Sequence, residues 1–225
     1  MTTPTWKRLI IIVEGQTEEA FVKELLRPYF AVHCLEVHPI KILTAKHHGK
    51  PFKGGFVNYE HLRRDALRYL KQEQTAIVST LVDFFRLPSN FPSYENCMKK
   101  LTTVEKIECL ERALHEDIGY FQRFIPYIQQ HEFEALLFAS NQGFERYFPD
   151  IALETQAIIQ KYPNPEDINH HPDTAPSKRL SKIIAEYDKV LFGNTLALEI
   201  GLSQIIAQCP RFRAWTERII SSAQQ

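Results

Sequence analysis

The feature that most constrains the fold is an apolar run, Leu9–Val13, that stops abruptly at Glu14 and Gly15. Five consecutive branched apolar residues suit a strand that is covered on both faces, as in a parallel α/β sheet. Thr17 can cap a helix that begins next, and Glu18 favours the positive end of that helix. The pattern therefore predicts a strand, a tight turn and a helix, with two glutamates at the carboxyl edge of a sheet, where open α/β folds bind ligands.

Two later segments repeat this pattern of an apolar strand that ends in acids. Residues 75–82 form a predicted strand that is followed directly by Asp83. Residues 124–129 form another, which runs into Glu132 and Glu134. Because the carboxyl ends of parallel strands meet at one edge of a sheet, we expect the acids of all three strand ends to converge in one cleft.

The remaining segments complete the predicted architecture. A strand over residues 35–43 contains Pro39, which suits an edge position because proline cannot donate to the sheet. We predict an α/β domain over residues 1–140, with a parallel sheet of about four strands and helices on both faces. Residues 141–225 read as short helices separated by proline-bearing turns, with one helix over residues 196–207. We expect this helical extension to pack on the same domain.

The composition is that of an ordinary globular chain. Its 225 residues include 27 basic and 27 acidic side chains, so any contact with a polyanion must come from a local patch. The cysteines are scattered without a CxxC pair, which argues against a zinc module and favours reduced thiols in the cytoplasm. No run approaches the ~20 apolar residues of a membrane span. We therefore expect a cytoplasmic protein with no membrane partner.

Convergent carboxylates repel one another, and the usual remedy is a hard cation. Mg²⁺ and Mn²⁺ accept oxygen ligands, keep several waters and bridge to phosphate. Bound to protein, such ions polarise a phosphodiester, generate hydroxide, or hold the attacking and leaving oxygens as a pair. Metal-assisted phosphodiester cleavage is the reaction class that the pattern favours. The predicted metal ligands are Glu14, Glu18, Asp83, Glu132 and Glu134.

Four segments carry a resemblance to known proteins. Residues 12–18 (IVEGQTE) resemble the first acidic motif of Toprim-fold proteins, in the EGxTE form of overcoming-lysogenization-defect (OLD) type nucleases. Residues 83–92, 126–138 (PYIQQHEFEALLF) and 174–180 (TAPSKRL) resemble an uncharacterised bacterial domain family of the Toprim-like group. The resemblance implies a Toprim-like (Rossmannoid) fold for residues 1–140, a divalent metal at the acidic edge of the sheet and cleavage of DNA or RNA. It also implies a role in anti-phage or abortive-infection defence, beside a partner ATPase of the ABC or AAA type.

The same resemblance assigns roles to individual acids. Glu14 and Glu18 take the roles of the paired glutamates, and Asp83 that of the first aspartate of a DxD motif, with Glu14 and Asp83 as catalytic residues. Phe85 stands where the second aspartate belongs, so a two-metal site would need an oxygen from the 126–138 segment. The alternative interpretation is a non-catalytic binding or regulatory subunit that keeps the fold and docks on the ATPase.

Basic residues supply candidates for holding phosphate. Lys178 and Lys189 are candidate catalytic residues, because OLD-type sites resemble this one in using a lysine beyond the acidic motifs. Lys178 and its neighbour Arg179 are also candidate nucleic-acid contacts. Charged helix faces and basic loops are often plain solvated surface, so this alternative stays open. The oligomeric state, a homodimer included, stays open too. A predicted basic loop adds further candidate contacts: Lys46, His48, Lys50 and Lys53.

Overall fold

A computed structural model describes residues 5–42, 56, 58–169, 171 and 173–225 of the chain. Its centre is a parallel sheet with the strand order β2-β1-β3-β4, and β5 also pairs with β3. The predicted parallel sheet of about four strands is confirmed. The strands span Lys7–Val13 (β1), Leu35–Lys41 (β2), Ile77–Asp83 (β3), Phe124–Ile125 (β4) and Ile128–Gln129 (β5).

Strand β1 lies inside the sheet, between β2 and β3. Its successive side chains point to opposite faces, and both faces are covered. Leu9, Ile11 and Val13 belong to one core, whereas Ile10 and Ile12 belong to the other, and none is more than 1% exposed. An apolar side chain at every position is what a strand covered on both faces requires.

The two outer strands accommodate their prolines in different ways. Strand β2 lies at one edge of the sheet, which tolerates Pro39 as predicted. The single strand predicted over residues 124–129 is instead divided into β4 and β5. The interruption includes Pro126, which has no backbone N–H to donate to the sheet. Thr80 of β3 fills the interruption, because its hydroxyl donates to the Tyr127 carbonyl and accepts from the Tyr127 N–H, each at 2.8 Å.

Helices cover both faces of the sheet, as predicted. One core packs the sheet against α3, α4 and α5, and the other packs it against α1, α2 and the C-terminal helices. A π turn over Val22–Leu26 joins α1 to α2, and a 3-10 helix spans Phe133–Ala139. The helices span Gln16–Phe21 (α1), Arg27–Ala31 (α2), Tyr59–Gln72 (α3), Tyr94–Cys97 (α4), Thr103–Ile118 (α5), Gln142–Tyr147 (α6), Ala152–Lys161 (α7), Pro176–Ile183 (α8), Lys189–Ile200 (α9), Leu202–Gln208 (α10) and Pro210–Ala223 (α11).

Helix α1 begins differently from the prediction, because Thr17 does not cap it. The Glu18 carboxylate reaches back and accepts a hydrogen bond from the Gly15 N–H at 2.9 Å. A Cβ at residue 15 would lie 3.2 Å from the same carboxylate oxygen, so glycine leaves room for this bond. Thr17 instead lies buried beneath α9, where its carbonyl accepts from the Asn194 side chain at 3.4 Å.

The C-terminal helices share one core with the sheet. Trp215 of α11 reaches β3, where its indole N–H donates to the Ser79 hydroxyl at 2.8 Å. The buried carboxylate of Glu166 accepts from the backbone N–H groups of Arg211 and Phe212 at 2.8 and 3.1 Å. These bonds satisfy donors at the start of α11 that have no partner within the helix. The predicted helical C-terminal region is therefore confirmed.

Helices α9 and α10 meet at a bend of 83°. Gly201 lies at this bend with a φ of 78°, a left-handed conformation that favours glycine. The single helix predicted over residues 196–207 is therefore wrong, because a backbone turn divides it. Within the described ranges, no single helix is both long enough and apolar enough to cross a membrane; only this bent pair, taken together, meets those two criteria.

The prediction that the thiols are all reduced is also wrong. A disulfide bond joins Cys97, at the end of α4, to Cys109 in α5. Cys34 and Cys209 are free. The bonded pair is separated by 12 residues, and the turn between the two helices brings it together. No local CxxC spacing reveals such a contact.

Candidate functional site

The carboxyl ends of β1, β3 and β5 lie side by side, and hydrogen bonds link the acids that follow them. The Asp83 N–H donates to Glu14 Oε2 at 3.4 Å, and the Phe133 N–H donates to Asp83 Oδ1 at 2.9 Å. Glu14 Oε1 accepts from the Phe56 N–H at 3.3 Å. The structure therefore brings Glu14, Asp83 and the start of the 3-10 helix together at the edge where open α/β sheets bind ligands.

Glu18 joins this group from the first turn of α1. The residue is 8% exposed, and one carboxylate oxygen is held by the Gly15 N–H. Burial, together with the negative charges of Glu14 and Glu134, raises the pKa of Glu18 from its usual value near 4.5 to about 7. The protonation state of this carboxylate near neutral pH is therefore sensitive to any further charge placed in the site.

Glu134 lies in the first turn of the 3-10 helix and is 1% exposed. One of its oxygens forms an ion pair with Nζ of Lys189 at 2.7 Å. Lys189 is the first residue of α9, so the C-terminal region supplies a cation to the acidic site. Burial lowers the pKa of Lys189, but the attraction of Glu134 outweighs it and the net shift is upward, so the lysine stays protonated.

The pKa values of all four carboxylates are raised. For Glu14, Asp83 and Glu134, burial is the largest cause of an upward shift in pKa. Repulsion by Glu14, Glu18 and Glu134 adds to the rise in the pKa of Asp83, and Lys189 opposes it. One lysine against four acids leaves a deficit of positive charge in a region of low dielectric constant. Protons or a cation would relieve that deficit.

Oxygen donors and negative charge fit a divalent metal at this edge of the sheet. As the side chains stand, however, no three Asp, Glu, His or Cys residues in the described part of the chain are grouped so that they could hold a metal ion. Glu18 is engaged with Gly15, and Glu134 is engaged with Lys189. A metal bound here would therefore require at least one carboxylate to turn away from its present partner.

Glu132, another predicted metal ligand, is held elsewhere. Its Oε1 accepts from the Ser177 hydroxyl and its Oε2 from the Ser177 N–H, both at 2.9 Å, and the residue is 3% exposed. Ser177 lies in the first turn of α8, so this carboxylate fastens α8 to the end of β5. Because both oxygens already have partners, the geometry favours a structural role for Glu132 and leaves Glu134 to face the acids.

Of the candidate basic residues that the structure describes, Lys189 is the one that forms an ion pair with an acid of the site. Lys178 is exposed on α8. The guanidinium of Arg179 lies over the ring of Tyr162, and its Nε donates to the Thr174 carbonyl at 2.8 Å. The remaining predicted contacts lie outside the described residues: Lys46, His48, Lys50 and Lys53.

Phe85, two residues after Asp83, contributes its backbone to the arrangement. Its N–H donates to the His131 carbonyl at 2.8 Å, and the Phe84 N–H donates to the Gln129 carbonyl at 3.0 Å. These two bonds continue the pairing of β3 with β5 beyond the last residue of β3. They hold the loop after Asp83 against the segment that carries Glu134.

Comparison with known proteins gives a family but no activity. A family model described as "Domain of unknown function (DUF4276)" matches residues 13–220. The chain belongs to this family. A solved structure, the C-terminal region of the OLD protein of Xanthomonas campestris pv. campestris, is 16% identical, with 96% of this chain and 94% of that chain covered and a TM-score of 0.41. Among the curated proteins compared with the chain, none matches.

Three residues around the acidic site of this DUF4276 protein were not singled out by the sequence. Ser177 holds Glu132, as described above. Tyr187 and Asn194 each carry a buried oxygen for which the described residues provide no hydrogen-bond partner. Ser177 lies within the TAPSKRL motif, and Tyr187 lies two residues before Lys189, but which side chain faces the site depends on how α8 and α9 pack.

The raised pKa values predict how the stability of this DUF4276 protein depends on pH. Glu18 binds its proton more tightly in the folded state, with a pKa of about 7 against a usual 4.5. The free energy of unfolding therefore falls as the pH rises from ~4.5 to ~7. Between pH 5.5 and pH 8 we expect Glu18 to lower the stability of the metal-free protein by on the order of 2 kcal/mol. Urea denaturation in EDTA at the two pH values measures this change.

The Glu18→Gln variant is the test of this assignment. The amide keeps an oxygen for the Gly15 N–H but does not titrate, so the loss of stability towards pH 8 should shrink. Glu24→Gln, an exposed position in the π turn that follows α1, is the matched control. Equal pH dependence in the two variants would show that Glu18 does not titrate near neutral pH.

A substitution at Glu132 distinguishes a structural role of this carboxylate from a role as a metal ligand. The Gln side chain of Glu132→Gln offers one acceptor where Ser177 presents two donors, so one buried donor loses its partner. We expect the free energy of unfolding to fall by on the order of 2 kcal/mol. Affinity for Mn²⁺, measured by calorimetry on the folded variant, should stay within about threefold of the unaltered protein. Unchanged stability with a large loss of Mn²⁺ affinity would instead make Glu132 a metal ligand.

Proposed function

We propose that this protein is a Mg²⁺- or Mn²⁺-dependent Toprim-like nuclease that hydrolyses phosphodiester bonds of DNA or RNA. The observation that carries the proposal is a cluster of acids with one lysine at the carboxyl edge of a parallel sheet. The mutual repulsion of these acids favours a divalent cation, and the EGxTE form of residues 12–18 supports the same reaction class. The cluster consists of Glu14, Glu18, Asp83, Glu134 and Lys189.

Each residue has a distinct role in this proposal. Glu14 and Asp83 follow neighbouring strands and hold the cation, with Glu18 or Glu134 as a further ligand. A divalent cation, when bound, polarises the phosphate and lowers the pKa of a water molecule. Lys189 is protonated and neutralises charge that develops on the phosphoryl oxygens.

The resemblance to OLD-type nucleases supports a place in anti-phage defence, with an ABC- or AAA-type ATPase as partner. A non-catalytic subunit of such an ATPase complex is the second candidate function. Two observations favour it: Phe85 replaces an acid of the motif, and the described side chains contain no group of three potential ligands ready to hold a metal.

Cleavage assays separate the two candidates. Purified protein is incubated with plasmid, single-stranded DNA and tRNA in MgCl₂, in MnCl₂ and in EDTA, with and without the ATPase partner. We expect cleavage of at least one substrate with metal and none in EDTA. If no substrate is cut under any condition and calorimetry detects no Mn²⁺ binding, the nuclease proposal fails and the subunit role remains.

A further inference from the structure

Tyr187 carries a buried hydroxyl that has no hydrogen-bond partner among the described residues. The residue belongs to the segment that connects α8 to α9, two residues before Lys189. A phenol is protonated at neutral pH, so this group is a donor without an acceptor. An unpartnered buried donor lowers stability, and its presence in a native fold calls for an explanation.

The hydroxyl lies near the start of the 3-10 helix that carries Glu134. A Cβ at Gly193 would lie 3.6 Å from the Tyr187 hydroxyl and 3.7 Å from a ring carbon of Phe133, the residue before Glu134. The charge of Glu134 also acts on the hydroxyl and contributes to the rise in the pKa of Tyr187 that burial causes. Asn194 Oδ1 is the competing acceptor, since it too is buried without a partner in the described structure.

Glu134 is held at present by Lys189, at 2.7 Å. If Lys189 is to contact a phosphate oxygen of the substrate, as proposed above, it must give up some or all of this ion pair. Glu134 would then be a carboxylate only 1% exposed and without its counter-charge, which is strongly unfavourable. A nearby donor that is not already engaged would remove this obstacle.

We propose that Tyr187 is a positioning residue that receives Glu134 when Lys189 turns towards the substrate. In the resting state Glu134 pairs with Lys189, and the Tyr187 hydroxyl has no acceptor. In the working state the Tyr187 hydroxyl donates to Glu134, and Lys189 contacts a phosphate oxygen. The working state rests on the nuclease function, but the exchange of partners involves only these three residues and can be tested without a substrate.

A double-mutant cycle on the metal-free protein tests the exchange. In the unaltered background, Tyr187→Phe removes a donor that has no acceptor, so the melting temperature should rise by on the order of 1–3 °C. In a Lys189→Met background, Glu134 has lost its lysine and Tyr187 becomes its donor. The same substitution should then lower the melting temperature by on the order of 3–5 °C. Effects of opposite sign are the signature of coupled residues.

Scanning calorimetry in EDTA supplies the measurement. Tyr147→Phe, at an exposed tyrosine of α6, is the matched control and should change neither background. Lys189→Gln replaces Lys189→Met if the latter does not fold. The same effect of Tyr187→Phe in both backgrounds would overturn the proposal, and an equal loss of stability in both would point to Asn194 as the acceptor. Opposite signs without cleavage of any nucleic acid and without Mn²⁺ binding would uphold the exchange while refuting the nuclease function.

Discussion

Asp83→Asn should lower the rate of nucleic-acid cleavage by about 1000-fold and raise the stability of the metal-free protein. Asparagine keeps an oxygen that accepts from the Phe133 N–H, so the substitution removes little more than the charge. Stabilisation by a bound metal is worth several kcal/mol of activation free energy, and each 1.4 kcal/mol corresponds to a factor of ten in rate. Stability should rise because burial and repulsion raise the pKa of Asp83, which makes its charged form unfavourable in the metal-free fold.

Single-turnover cleavage and thermal unfolding at pH 8 measure the two effects on one preparation. Asp150→Asn, at an exposed aspartate, is the matched control and should alter neither quantity. The higher melting temperature of Asp83→Asn would show that inactivity does not come from misfolding. Cleavage at the unaltered rate would remove Asp83 from the site and with it the basis of the proposed metal centre.

Lys189→Met should lower the cleavage rate by about 100- to 1000-fold and tighten the binding of Mn²⁺. The rate falls because a preorganised positive charge no longer meets the charge that develops on the phosphoryl group. In the resting site the positive charge of Lys189 lowers the pKa of Glu14 and Asp83, so the lysine stabilises these acids in their charged form. Mn²⁺ must bind the same acids against the repulsion of that charge. Metal binding therefore tightens when the lysine is removed. Opposite effects on rate and metal affinity distinguish this role from simple damage to the site.

Calorimetry with Mn²⁺ and cleavage at saturating metal test this pair of effects. Lys99→Met, at an exposed lysine after α4, is the matched control. The Lys178→Met variant tests the other candidate lysine, which is exposed on α8. If Lys178→Met stops cleavage and Lys189→Met does not, the catalytic lysine belongs to α8, and the ion pair with Glu134 is structural.

Much of the sheet could be predicted because its signals are local. The run Leu9–Val13 is apolar at every position, since both of its faces are buried, and Pro39 is tolerated because β2 is an edge strand. The acids after the strands are also local signals, and parallel pairing brings Glu14 and Asp83 together without further information. The positions of the strand ends, and of the acids beside them, can therefore be predicted from sequence patterns that span only a few residues.

The partners of the later acids could not be predicted in the same way. Glu132 and Glu134 are two residues apart in one motif, yet the first holds Ser177 of α8 and the second holds Lys189 of α9. His131 has a φ of 65°, so the chain turns sharply just before these residues. The division of roles depends on that turn and on the packing of two helices more than 40 residues away in sequence.

The same long-range packing decides which lysine belongs to the site. Both Lys178 and Lys189 lie near the start of a helix and look equivalent in sequence. In the fold, α9 packs against α1 and Lys189 reaches Glu134, whereas Lys178 is exposed. The buried hydroxyl of Tyr187 has no signature in the local pattern either.

Anomalous X-ray scattering at the manganese absorption edge, from crystals grown in MnCl₂, tests the central claim most directly. We predict a manganese peak about 2.1 Å from carboxylate oxygens of Glu14 and Asp83. We also expect Glu18 or Glu134 to have turned from its present partner to complete the ligand set. Fully ordered acids with no peak between them, and with the 2.7 Å contact of Glu134 with Lys189 intact, would contradict it.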